Sequence, residues 1–154
     1  MAAGDVVKTF RYRKETVPSK TNTSVTKGNL LAYDTDGFAP ATQTILKADH
    51  TKAFKKYVAT ATVAGVADTN NNLEVIAEGV VGITKVSGAL KQGQIVGATA
   101  TAGAIGAWAA PTLTTTAAYC GVTMQAQLDT LLYVVGEVLT DAGNSDAFAN
   151  VVFG

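Results

Sequence analysis

Side chains able to do chemistry are thinly spread along this chain. Its 154 residues hold one histidine, His50, and one cysteine, Cys120. His50 stands between Asp49 and Thr51, just ahead of Lys52, Lys55 and Lys56, and reads as a solvent-facing histidine at a helix start. No His-x-x-x-His or Cys-x-x-Cys joins it, so a zinc site lacks its ligands. Cys120, between Tyr119 and Gly121, has no acid or base close in sequence and reads as a buried structural thiol. A lone cysteine also makes no internal disulfide, which leaves packing or assembly to supply stability. The run Gly97 to Gly106 is glycine-rich but lacks both the Gly-Lys-Ser/Thr of a phosphate loop and the Gly-x-Gly-x-x-Gly of a dinucleotide fold. Asp34, Asp36 and Asp68 lie in turns, without the acidic spacing of a dedicated calcium loop. General-base and nucleophilic catalysis need titratable groups gathered in a cleft, and nothing here gathers them. The expectation is a protein that is not an enzyme, with no catalytic residue, cofactor or metal.

One stretch does interleave cations with aromatics. Lys8-Thr9-Phe10-Arg11-Tyr12-Arg13-Lys14 alternates, placing Phe10 and Tyr12 on one side of an extended strand and Arg11 and Arg13 on the other. Such a ribbon has one sticky face and one cationic face. On a chain of zero net charge it is too little for a nucleic-acid site, so no nucleic acid is expected. Charge is nonetheless lopsided: residues 1–56 carry ten basic and five acidic groups, and the remainder two basic and seven acidic. A basic leading third beside an acidic body fits a charged partner or a neighbouring copy, and fits equally a solvated arm beside a solvated body.

The elements that must position this ribbon follow from composition. Apolar residues make up 47% of the chain, too many for a disordered one, and they are mostly Ala and Val rather than Leu or aromatics. With Thr and Gly abundant, that mixture suits closely packed strands. The length is that of one domain. Apolar runs such as Leu131 to Val135 fall far short of the ~20 residues of a membrane-spanning helix, so no membrane is expected. Met1 to Asp5 has neither the basic start nor the apolar stretch of a signal peptide, and none is expected.

Read in order, residues 1–28 form an arm ahead of a single β-rich domain at 29–154, with Val17 to Ser24 as a polar loop. Leu30 to Tyr33 is a strand, and Asp34 to Gly37 turns it out. A helix is predicted over 47–58, capped by Asp49, although Tyr57 to Val63 is equally good strand material. Thr60 to Ala67 and Leu73 to Ile83 read as a hairpin joined by the turn Asp68 to Asn72. A turn at 88–93, a strand over 94–101 and a small-residue loop over 103–111 follow, then the polar β-formers 112–116. Met124, Leu128, Leu131 and Leu132 give a short helix from Thr123 to about Thr130, ahead of a strand over 131–139 and a last strand over 149–153. Gly-β pairs such as Val81-Gly82-Ile83 and Val135-Gly136-Glu137 fit places where strands pass close to another backbone. The fold expected is mainly β: a small barrel with one or two short helices and an extended N-terminal arm.

Three stretches together resemble the head-decoration, or capsid cement, proteins of tailed bacteriophages and related viruses, of the lambda-like β-tulip type. They are Val25 to Asp34; Val63 to Asp68 leading to Glu78-Gly79-Val80-Val81-Gly82-Ile83-Thr84 and Lys91 to Val96; and Val135 to Ala142 closing with Asn150 to Phe153. The likeness runs from about Val25 onward, and the segments 41–57 and 109–128 look like insertions. It implies a β-tulip domain, made in the host cytoplasm, that forms a homotrimer. On the virion it would sit on the outer surface of the icosahedral capsid and lock the major capsid protein against internal pressure. In that setting Lys8, Phe10, Arg11, Tyr12, Arg13 and Lys14 are the expected capsid-contacting residues. The aromatics would anchor and the cations would steer toward acidic loops. Two other readings stay open: a small carbohydrate-binding barrel with Trp108, Tyr119 and Tyr133 as a stacking platform, and a tail or fibre subunit.

Overall fold

A computed structural model describes residues 2–48, 55–112 and 121–154. The strands are β1 (Arg13–Pro18), β2 (Leu30–Asp34), β3 (Gly37–Pro40), β4 (Lys56–Ala59), β5 (Asn72–Thr84), β6 (Ile95–Ala98), β7 (Ile105–Ala107), β8 (Val134–Val138) and β9 (Phe148–Phe153). Two helices, α1 (Gln43–Ala48) and α2 (Gly121–Leu132), interrupt them. The chain is mainly β, as composition predicts. Every paired strand is antiparallel, in the order β3-β2-β4-β5-β9-β8-β6-β7, with β1 added alongside β5.

The sheet curls into a half-barrel, which brings distant parts of the chain together. The Leu30 amide donates to Gly103, the Gly103 amide to Ala41, and the Thr84 amide to Gly28, all at 2.9–3.0 Å. These bonds satisfy backbone groups that a flat sheet would leave at its ends.

β5 is the spine. It is the longest strand, with 13 residues of which six are β-branched, and they serve two apolar clusters. Leu73, Val75 and Ala77 pack with Val17, Val25, Leu31, Tyr57 and Ala59. Ile76, Val81 and Ile83 pack with Leu30, Val58, Leu46, Val96, Ile105, Val138 and Val151. The odd-numbered residues thus change cluster partway along the strand. A register shift opposite Arg13 and Lys14 marks the slip of one residue that makes this possible. Gly79 follows it with φ +135°, a conformation that disfavours any side chain, and a Cβ there would lie 2.6 Å from that of Tyr12.

Burial on both faces explains the continuous apolar runs of β2 and β4: Leu30 and Val58 serve one cluster, Leu31 and Tyr57 the other. It also overturns the last part of the helix predicted over 47–58, of which residues 49–54 lie outside the described residues. The helix lies earlier, at 43–48, where the Thr42 hydroxyl accepts the Ile45 amide at 3.1 Å. Residues 56–59 are strand because both faces of Tyr57-Val58-Ala59 have apolar partners, which a one-sided helix stripe would waste. Asp49 and His50 lie outside the described residues, as do Tyr119, Cys120 and the run 113–116.

Residues 60–67 are not the predicted strand; only Val63 bridges, to Val25, and the partner that closes on β5 is β4. β7 occupies part of the predicted loop 103–111. α2 runs through Leu132, and β8 and β9 fall within a residue or so of their predicted places at all but β8's start. Of the two insert-like segments, the first supplies Ala41 and Leu46 to the larger cluster, and the second includes the first half of α2.

Candidate functional site

The basic-aromatic ribbon is built differently from its expected continuous strand. Residues 4–7 run along the second half of β5: the Gly4 amide donates to Gly82 at 2.6 Å, the Gly82 amide to Asp5 at 3.0 Å and the Val7 amide to Val80 at 2.8 Å. A Cβ on Gly82 would meet the Ala2 carbonyl at 2.7 Å, so this approach needs a glycine. The Lys27 ammonium donates to the Asp5 carboxylate at 2.6 Å and, as the largest cause, holds its pKa below the ordinary value. From Arg13 onward β1 pairs with the first half of β5, and Val17 and Val25 are core residues. The described residues 2–28 thus include stretches hydrogen-bonded along β5 and side chains buried in the core. Two stretches are docked on β5, and Lys8 to Tyr12 stand out between them.

Within that excursion the Phe10 amide donates back to Val7 at 3.0 Å, a turn that ends any extended ribbon. Phe10 and Tyr12 are 45% and 40% exposed. Lys8 and Arg11 are exposed too and have no ion-pair partner among the described residues. Arg13 and Lys14 differ. Arg13 bonds Glu15 at 3.2 Å and Glu78 at 3.3 Å, and Lys14 bonds Glu74 at 2.8 Å. That last bond raises the lysine pKa and lowers that of the carboxylate. Tyr57 donates to Glu15 at 2.9 Å, and burial, with that bond second, pushes the phenol up. Of the six expected contact residues, Lys8, Phe10, Arg11 and Tyr12 thus form one free group, while Arg13 and Lys14 also serve the fold.

Beside the excursion opens a groove of about 670 Å³, walled by Val6, Val7, Thr60 and Ile76 and rimmed by the Lys14–Glu74 pair. Lys14, Glu74 and Thr60 are committed to one another, Lys8 on its edge has no ion-pair partner among the described residues, and no nucleophile-base pair lines it. The turn acids are committed as well: Asp34 bonds Lys20 at 2.8 Å, and Asp36 accepts the Thr21 hydroxyl at 2.9 Å. Of the residues named for a sugar platform, Tyr119 lies outside the described residues. Trp108 donates its indole N–H to the Thr130 carbonyl at 2.8 Å, tying β7 to α2, and Tyr133 packs against the larger cluster.

Sequence reasoning missed the exposed apolar row Ile95 and Val152 on either side of Glu137, which are direct cross-strand neighbours. It also missed two buried or half-buried lysines, Lys85 and Lys56. Alternation could have flagged Lys56, two residues from Val58 and on its face of the strand.

No family model, curated protein or solved structure matches this chain.

Proposed function

We propose that this protein is a structural virion component that binds the outer surface of an icosahedral capsid, as a homotrimer, and cements the major capsid protein. The observation that carries the reading is the excursion Lys8 to Tyr12. Two large aromatics and two cations without an ion-pair partner among the described residues follow one another in the excursion, and β5 pins the chain on both sides of them. A pinned excursion loses little entropy on binding, so its aromatic area converts more fully to affinity. Each exposed ion pair with an acidic capsid loop would contribute only ~0–1 kcal/mol, and repetition over a shell supplies the rest. Arg13 and Lys14 flank the contact. Nothing in the reading calls for nucleic acid, membrane, cofactor or catalysis.

The test is co-sedimentation with expanded phage shells stripped of their own decoration protein. Deleting residues 1–24 would remove β1 and Val17, so the informative variant is Phe10→Ser with Tyr12→Ser. Wild-type protein saturating the shells, with the double variant at least tenfold weaker, is the expected result. Equal binding by both would remove the excursion from the contact, and no binding by either would sink the shell reading.

A further inference from the structure

One exposed acid in this fold lies among apolar side chains without a counter-ion. Glu137 of β8 stands directly opposite Ile95 of β6 on one side and Val152 of β9 on the other. Opposed residues of antiparallel strands share a face, so the three make one row across the sheet. Val96, Val138, Val151 and Phe153, their neighbours along the chain, belong to the larger cluster, which puts the row on the opposite face. Ile95 and Val152 are 44% and 48% exposed. Glu137 is exposed between them, and its carboxylate has no ion-pair partner among the described residues. Other acids are answered within the chain: Lys14 pairs with Glu74, Lys20 with Asp34, Lys27 with Asp5 and Lys91 with Asp141.

A carboxylate between two aliphatic side chains selects a long cationic one, laid across the row with its stem on Ile95 and Val152 and its head on the acid. Arginine suits this best, because its planar fork bonds both carboxylate oxygens and is weakly hydrated. The chain holds two arginines. Arg13 is taken by Glu15 and Glu78. Arg11, exposed in the excursion, has no ion-pair partner among the described residues, Glu137 of its own chain included. The acidic and the basic half of the match thus stand on one chain, each unanswered there. We propose that a second copy docks on this row, its Arg11 on Glu137 and the arginine stem across Ile95 and Val152. Donor and acceptor are different surfaces, so the contact passes from copy to copy and closes as a ring, the kind of contact a trimer is built from. The inference rests on the homotrimer of the reading above and leaves Lys8, Phe10 and Tyr12 to the shell.

The experiment is sedimentation velocity of the whole protein over a wide range of concentration, without shells, paired with thermal unfolding. The unmodified chain is expected to run as a trimer that dissociates on dilution. Glu137→Arg and Arg11→Glu should each weaken that association at least about tenfold, and the chain carrying both should recover it, because the opposite charges are restored in exchanged places. Ile95→Ser with Val152→Ser should weaken it as well, through the lost apolar bed. Each single charge reversal should keep Tm within about 2 °C, since neither side chain is paired within its own chain. A trimer that survives both charge reversals, or a doubly reversed chain that stays dissociated, would overturn the contact and leave the homotrimer standing. An unmodified chain that stays monomeric, or stops at a dimer, would overturn the homotrimer and this contact with it. A Tm that falls in each single variant and recovers in the doubly reversed chain would place the pair inside one protomer and equally overturn the proposal.

Discussion

Residues 4–7 and 13–18 on one side, and 8–12 on the other, are neighbouring pieces of one N-terminal segment with opposite fates. The first two lie hydrogen-bonded along β5, and the third stands in solvent with its aromatics exposed. Local propensity does not separate them, since Phe10 and Tyr12 are better strand formers than Glu15 or Pro18. What differs is the partner. Residues 72–77 and 80–84 of β5 offer a regular edge, whereas the register slip and Gly79 between them offer none. The excursion sits where the spine changes phase, so the exposed site and the two-cluster core share one structural cause.

The sharpest way to break this contrast is to weaken the spine itself. Ile83 is fully buried in the larger cluster, and Ile83→Ala should cost about 2–5 kcal/mol in urea unfolding. A loss under 1 kcal/mol would mean that β5 does not organise the core. A smaller effect is expected at Lys85. Lys85→Met keeps the volume but strands the carbonyls of Val86, Gly88 and Asn144, at a cost of about 1–3 kcal/mol. Stability unchanged in that variant would show that water replaces the ammonium freely.

Much of this was legible beforehand for a plain reason. Strands set off by clear turn residues, such as β2 between Gly28-Asn29 and Asp34-Gly37, or with an apolar rhythm, such as β9, declare themselves through short-range pattern. β4 did not, because burial on both faces gives Tyr57-Val58-Ala59 no period to read. The residues of the excursion were legible as a basic-aromatic group, but their separation from β1 was not. That separation depends on a bulge in a strand sixty residues away, which no local pattern around Tyr12 records.

Acid should loosen the docked side of the comparison more than the excursion. The Asp5 pKa is lowered on folding, so its pairing with Lys27 stabilises above the unfolded carboxylate value near 4 and is lost as pH falls through the lower folded value. Glu74 is shifted in the same direction by its bond to Lys14 and adds to it on the β1 side. Corrected for intrinsic rates, amide exchange at Gly4 and Val7 should rise a few-fold between pH 5 and about pH 3. In Lys27→Ala the rate should already be raised at pH 5. Acid-independent protection would show that the backbone bonds to Gly82 and Val80 hold these residues without the ion pair.

The smallest stability effect belongs to the residues with the largest proposed functional one. Phe10 and Tyr12 leave nearly half their surface in water, so serine at both positions should change unfolding free energy by no more than about 0.5 kcal/mol per site. If the pair instead costs 2 kcal/mol or more, the aromatics are holding the crossing at Gly79 in place, and their exposure reflects packing at a strand irregularity. Near-neutral stability together with lost shell binding would separate the two roles, placing the aromatics in the contact and outside the energetics of the fold.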